Sequence, residues 1–131
     1  MPERSCSNQA WTGAPMHRVE LEGRIPTLNS WLSGTHWRTK HKEKKEWQDR
    51  FLLAFLEAKL PKKLSYPITL SVTMYCKSKV RDVDNAVLAG KFCADALVAN
   101  GYLEDDSPKY ISSMILTTHK GVLDKTVIII Q

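Results

Sequence analysis

Residues 66–77, YPITLSVTMYCK, alternate strictly, with Ile68, Leu70, Val72, Met74 and Cys76 opposed to Thr69, Ser71, Thr73 and Tyr75. A period of two sustained over this length makes a strand with one face in a core and excludes an amphipathic helix. The chain must therefore build a sheet and supply a layer to cover it. The cover is legible on both sides of the strand. From about Arg38 to Leu60, the residues Trp47, Phe51, Ala54 (or Phe55) and Ala58 recur at spacings of three or four. Leu52, Leu53 and Leu56 widen that buried stripe, Trp47 belongs to the core, and Pro61 stops the helix because proline cannot continue the hydrogen-bond ladder. A second helix is expected from Asp82-Val83-Asp84-Asn85 through about Asn100, capped by Asp84 or Asn85 and ended by Gly101. Cys93 on it reads as a small buried hydrophobe.

His17 to Arg24 alternates Val19 and Leu21 with charged residues and reads as a further strand. Tyr110 to His119 and Lys125 to Ile130 read as two more, joined around Gly121 as a hairpin. The expected order is β-α-β-α-β-β, an α+β chain with a mixed sheet and helices packed on it. At 131 residues this is one domain, residues 17–131, large enough to bury a core without disulfides or a structural metal. Residues 1–16, polar and rich in Ser, Pro and Gly, read as a loosely ordered arm without the apolar stretch of a secretory signal. There is no apolar run of about 18 residues or more, so no membrane association is expected. Cys6, Cys76 and Cys93 are odd in number and widely spaced, which argues against a zinc site and for reduced thiols in the cytoplasm.

The formal charge of +5 is unevenly placed. Residues 1–63 carry 12 Lys/Arg against 7 Asp/Glu, while residues 64–131 carry 7 of each. The excess gathers in residues 36–45, through Arg38, Lys40, Lys42, Lys44 and Lys45. Lys77, Lys79 and Arg81 form a second basic approach, leading straight into Asp82. A basic surface is the footprint of a polyanion binder, although such a run also simply solubilises the start of a helix. Trp31 and Trp37 beside this segment are candidates for contact with DNA.

The acids are the more specific signal. Asp82 and Asp84 flank one residue, and in an extended chain both side chains would share a face and could chelate one hard cation. Lys91 and Asp95 follow on the side of the second helix that carries Asp84. After Gly101 turns the chain back comes Glu104-Asp105-Asp106. Carboxylates around a Mg²⁺, with an ammonium nearby, suit phosphodiester hydrolysis. The plainer reading makes Asp82 and Asp84 turn or cap residues, and Lys91–Asp95 an ordinary ion pair. An EF-hand is excluded, because its glycine and terminal glutamate positions would hold Val87 and Cys93.

Taken in order, Asp82-x-Asp84-Asn85, then Lys91-Phe92-Cys93-Ala94-Asp95-Ala96-Leu97, then Gly101-Tyr102-Leu103-x-Asp105-Asp106 resembles the RusA family of crossover-junction endodeoxyribonucleases. The likeness covers roughly residues 17–130. It implies a RusA-like endonuclease domain that resolves four-way (Holliday) DNA junctions by paired phosphodiester hydrolysis, as a homodimer. It implies Asp82, Asp84 and Asp106 as metal-binding acids, Lys91 as the catalytic lysine, and Mg²⁺ as the metal, with no small-molecule cofactor. Arg38, Lys40, Lys42, Lys44, Lys45, Lys77, Lys79 and Arg81 would hold the DNA backbone. The chain departs from the family pattern between Asn85 and Lys91, where it is longer by about three residues, nearly one helical turn. The alternative is a branched-DNA-binding protein without catalysis.

Overall fold

In the computed structural model, residues 16–23, 25–26, 37–78, 80 and 83–131 are described; the side chains of residues 37, 84 and 85 lie outside this set. The elements are β1 (His17–Glu22), α1 (Trp37–Glu57), β2 (Ile68–Cys76), a 3₁₀ turn (Val83–Ala86), α2 (Val87–Ala99), β3 (Ile111–Lys120) and β4 (Lys125–Ile130). The expected α+β order β-α-β-α-β-β and the mixed sheet are borne out. The proposed arm, residues 1–15 of it, falls outside the described residues.

The four strands lie in the order β1-β4-β2-β3. β4 runs antiparallel to both β1 and β2, and β3 runs parallel to β2. The hairpin expected between β3 and β4 therefore does not form, because β2 lies between them. The reason is in β4: Thr126, Val127, Ile128 and Ile130 are all buried, so nearly consecutive residues need cover on both faces. A strand of that kind takes a central place in a sheet. Residues 121–124 carry the chain across the end of β2. Gly121 N–H donates to the Cys76 carbonyl, and the Asp124 carboxylate accepts from Lys77 N–H at 2.9 Å. A Cβ at Gly121 would stand 2.9 Å from the Cβ of Tyr75, so this crossing leaves no room for a side chain.

The alternation of β2 is realised: Ile68, Leu70, Val72, Met74 and Cys76 are buried, and the residues between them are half-buried. Both helices cover the buried face. α1 packs on β1, while α2 packs on β2 and β3. Gly90 of α2 permits a close approach there, since a Cβ would meet Met114 Sδ at 2.4 Å and Val72 Cγ2 at 3.4 Å. Trp47, Phe51, Ala54 and Phe55 are buried as expected, and Cys93 is fully buried. Leu53 and Leu56 are not, at 61% and 59% exposed. They lie on the outer flank of a helix that is covered by the sheet on one side and α2 on another, which leaves the third side to solvent.

The two helices end in the same way. α1 stops at Glu57, before Pro61, because Lys59 adopts φ +56°. Lys59 N–H bonds the Leu56 carbonyl and Leu60 N–H bonds the Phe55 carbonyl, which is the Schellman pattern, with Leu60 and Phe55 both buried beneath it. α2 repeats the pattern at Gly101 (φ +81°), with Gly101 N–H to Val98 and Tyr102 N–H to Leu97. The rings of Phe55 and Tyr102 then meet edge to face, centroids 5.3 Å apart. At the other end of α2 the N-cap position falls not on the expected Asp84 or Asn85 but on the next residue. The N-cap is Ala86, without a side-chain hydrogen bond, because the 3₁₀ turn absorbs Asp84 and Asn85 before α2 begins.

Lys59 carries a side chain in a conformation that costs an L-residue roughly 1–2 kcal/mol and glycine almost nothing. Lys59→Gly is expected to raise stability by about 1 kcal/mol, read as a higher urea midpoint with an unchanged slope. A lower midpoint would mean that the lysine stem supplies packing that outweighs the strain.

Candidate nucleic-acid interface and acidic site

Two contacts set the helices relative to each other. Near the middle of each, Lys44 Nζ lies 3.2 Å from Asp95 Oδ2. Towards their ends Phe55 meets Tyr102. Both pairings advance along both helices in the same direction, so α1 and α2 run parallel. Lys44 is about 10 Å of axial rise from the start of α1, and Asp95 about 12 Å from the start of α2. Both N-termini therefore point to the same end of the molecule, where the 3₁₀ turn that holds Asp84 and Asn85 leads into α2.

This end of the molecule is electropositive for two separate reasons. Each helix turns the positive end of its dipole to this side. The first turns of α1 add Arg38 and Lys42, both exposed, and Lys40, half-buried. Lys45 is exposed and pairs loosely with Asp49 at 3.4 Å, a surface contact worth little. Lys44 is turned inward, to Asp95. Lys77 is exposed beyond the end of β2, while Lys79 and Arg81 lie outside the described residues. Trp31 lies outside them too, as does the side chain of Trp37.

The acids separate into two places. Asp82 lies outside the described residues. Asp84 is in the 3₁₀ turn rather than in an extended strand end, since β2 stops at Cys76. Lys91 is exposed in the second turn of α2 and makes no ion pair among the described residues. The plain Lys91–Asp95 pair is not made, because Asp95 faces α1 instead. Asp106 lies beyond the opposite end of α2, next to Ser107, whose carbonyl accepts from Tyr110 and Ile111 at the start of β3. It is exposed, as is Asp105. Thirteen residues of α2, about 20 Å at 1.5 Å per residue, separate the two ends. Glu104 is engaged locally: Tyr110 O–H donates to Glu104 Oε1 at 2.8 Å, and that bond holds the phenol above its ordinary pKa.

Among the described residues, no group of three His, Cys, Asp or Glu side chains stands ready to hold a metal ion. The donors assigned to that role are all carboxylates, which as a class suit a hard cation such as Mg²⁺. A cleft of about 340 Å³ between residues 61–68 and Ile130–Gln131 contains no acidic side chain. No helix among the described residues is long and apolar enough to cross a membrane. Sequence reasoning missed Asp95 as the partner of Lys44; the two are far apart in the chain, and no local spacing could have paired them. No protein-family model and no characterised protein matches the chain.

The Lys44–Asp95 contact is asymmetric. Asp95 Oδ2 is buried and lacks an aligned hydrogen bond, whereas Lys44 is 39% exposed. Lys44→Ala strands the carboxylate and is expected to cost about 1–3 kcal/mol. Asp95→Ala releases the ammonium to water and should cost less. Urea unfolding of the two variants measures the difference; equal losses, or the reverse order, would mean that water already serves Asp95.

Proposed function

We propose that the chain is a Mg²⁺-dependent, structure-selective endodeoxyribonuclease of the RusA kind, acting on four-way DNA junctions as a homodimer. The observation that carries the reading is the parallel pairing of α1 and α2. It gathers the basic start of α1, two helix N-termini and the Asp84-Asn85 turn at one end of the molecule. A phosphodiester backbone is attracted to such an end, and phosphate contacts by Arg38, Lys40, Lys42 and the residues leading out of β2 would set its register. Lys91, exposed about two turns beyond Asp84 and without an ion pair among the described residues, is available to a phosphate oxygen.

Bound Mg²⁺ would activate water and neutralise charge on the phosphorus oxygens. Asp82, Asp84 and Asp106 are the acids the resemblance assigns to it. Asp106 stands at the far end of α2 from Asp84 within one chain. Two copies give a reason for that separation, because a second protomer is able to bring its own Asp106 to the Asp82–Asp84 end. The homodimer is thus part of the proposed chemistry, and two such sites would serve the two strands cut at a junction.

The test is cleavage of a labelled synthetic four-way junction and of linear duplex, with Mg²⁺ and with EDTA. Paired nicks confined to the junction and dependent on the metal are expected. Asp82→Asn should reduce the rate at least about 100-fold, since even outer-shell changes around a metal cost 10–100-fold. Tight junction binding without nicks would replace the enzyme with a binding protein. Binding itself should weaken about 10³-fold between 50 and 200 mM salt if roughly six phosphates are contacted; a flat salt response would remove DNA as the ligand.

A further inference from the structure

The two edges of the sheet are differently protected. β1 is six residues long and carries Arg18, Glu20 and Glu22 on its outer face, with Arg18 and Lys125 bonded to Glu20 and holding its carboxyl below the usual range. Short, charged edges of this kind resist pairing with other chains. β3 is the opposite. It is ten residues long, has no proline and no charge before Lys120, and exposes Ile115 at 55% and Met114 at 36%. Among the described residues nothing pairs with its outer side.

The direction of its backbone groups follows from the hydrogen bonds. Thr69 exchanges both of its backbone bonds with Gln131. The odd residues of β2 therefore address β4, and the even ones address β3. Cys76 conforms, accepting from Gly121. With Leu70 beside Met114 and Val72 beside Leu116, β3 turns the backbone groups of Ser113, Ile115 and Thr117 inward to β2. Those of Met114 and Leu116 point out to the free edge.

The polarity of β3 reads the same in both directions about Ile115: Ser-Ser-Met on one side, Leu-Thr-Thr on the other. We propose that two copies of this chain pair antiparallel through β3, with the two-fold axis at Ile115, so that the four-stranded sheets join into one of eight strands. In that register Met114 and the partner's Leu116 exchange the outward backbone bonds. Ile115 and the partner's Ile115 form a non-hydrogen-bonded pair, where side chains come closest. Ser113 meets the partner's Thr117, a hydroxyl pair. Charge agrees with shape: Glu104, Asp105 and Asp106 outnumber Lys109 before β3, and Lys77 and Lys120 outnumber Asp124 at its far end, so antiparallel pairing sets a more acidic end against a more basic one. This inference rests on the two-copy part of the proposed function and names the surface that part uses.

Cross-linking tests it. A non-hydrogen-bonded antiparallel pair has Cα atoms about 4.5 Å apart, within disulfide range. In a Cys6→Ser background, with Cys76 and Cys93 buried, Ile115→Cys should cross-link to the covalent dimer under diamide, and Thr117→Cys should not. Circular dichroism confirms that each variant is folded, and sedimentation gives the mass of the parent chain. A parent of two-chain mass whose Ile115→Cys variant fails to cross-link, or cross-links no better than Thr117→Cys, overturns the β3 pairing and leaves the two-copy reading standing. A parent that sediments as a single chain at the concentration that cleaves a junction overturns both.

Discussion

The contact between the Phe55 and Tyr102 rings joins the ends of the two helices that cover the sheet. Each ring belongs to a helix stop: Phe55 supplies the carbonyl that closes the end of α1, and Tyr102 supplies the amide that closes the end of α2. Two aromatic groups packed edge to face add about 0.5–1.5 kcal/mol to the area they bury. Their larger effect is geometric. With the two helix ends joined there, the Lys44–Asp95 contact further back along both helices sets the parallel course. The helix starts then point to the same end of the molecule. An electropositive end results from apolar packing placed at the other end of the layer.

That arrangement explains how little of the acidic site lies within local sequence reach. Asp82-x-Asp84-Asn85 is legible as a linear string, and so is the alternation of β2, because both are patterns within one short stretch. The 3₁₀ turn is less so; it sets Asp84 and Asn85 ahead of the N-cap position, which Ala86 takes without a side chain suited to it. The separation of Asp106 from Asp84 depends on the length and direction of α2, which a motif does not encode. Lys44 looked like one more cation in a run. Only the packing of the two helices shows that it faces inward, to Asp95.

The misreading of β3 and β4 has a physical cause of the same type. A glycine-bearing turn between two apolar runs serves equally for a hairpin and for a short passage over the end of a third strand. What separates the cases is whether each strand needs cover on one face or on two. β4, with four of its last five residues buried, needs two. β3, largely exposed, needs one. Leu53 and Leu56 err in the opposite sense: an apolar residue on a helix states that it tolerates burial, and the number of neighbouring layers decides whether it gets it.

The position of β4 has a consequence for the order in which the molecule comes into being. β4 follows every other described element in the chain, yet it sits between β1 and β2 in the sheet. During vectorial synthesis β1 emerges first and has no strand to join until β4 leaves the ribosome, after α1, β2, α2 and β3. Only β2 and β3, linked through α2, can begin to associate before then, and a parallel pair is slow to form because its closing contacts are distant in sequence. The nascent chain therefore carries β1 unpaired until β4 is made, and a protein of this topology places its greatest demand on chaperones before that point.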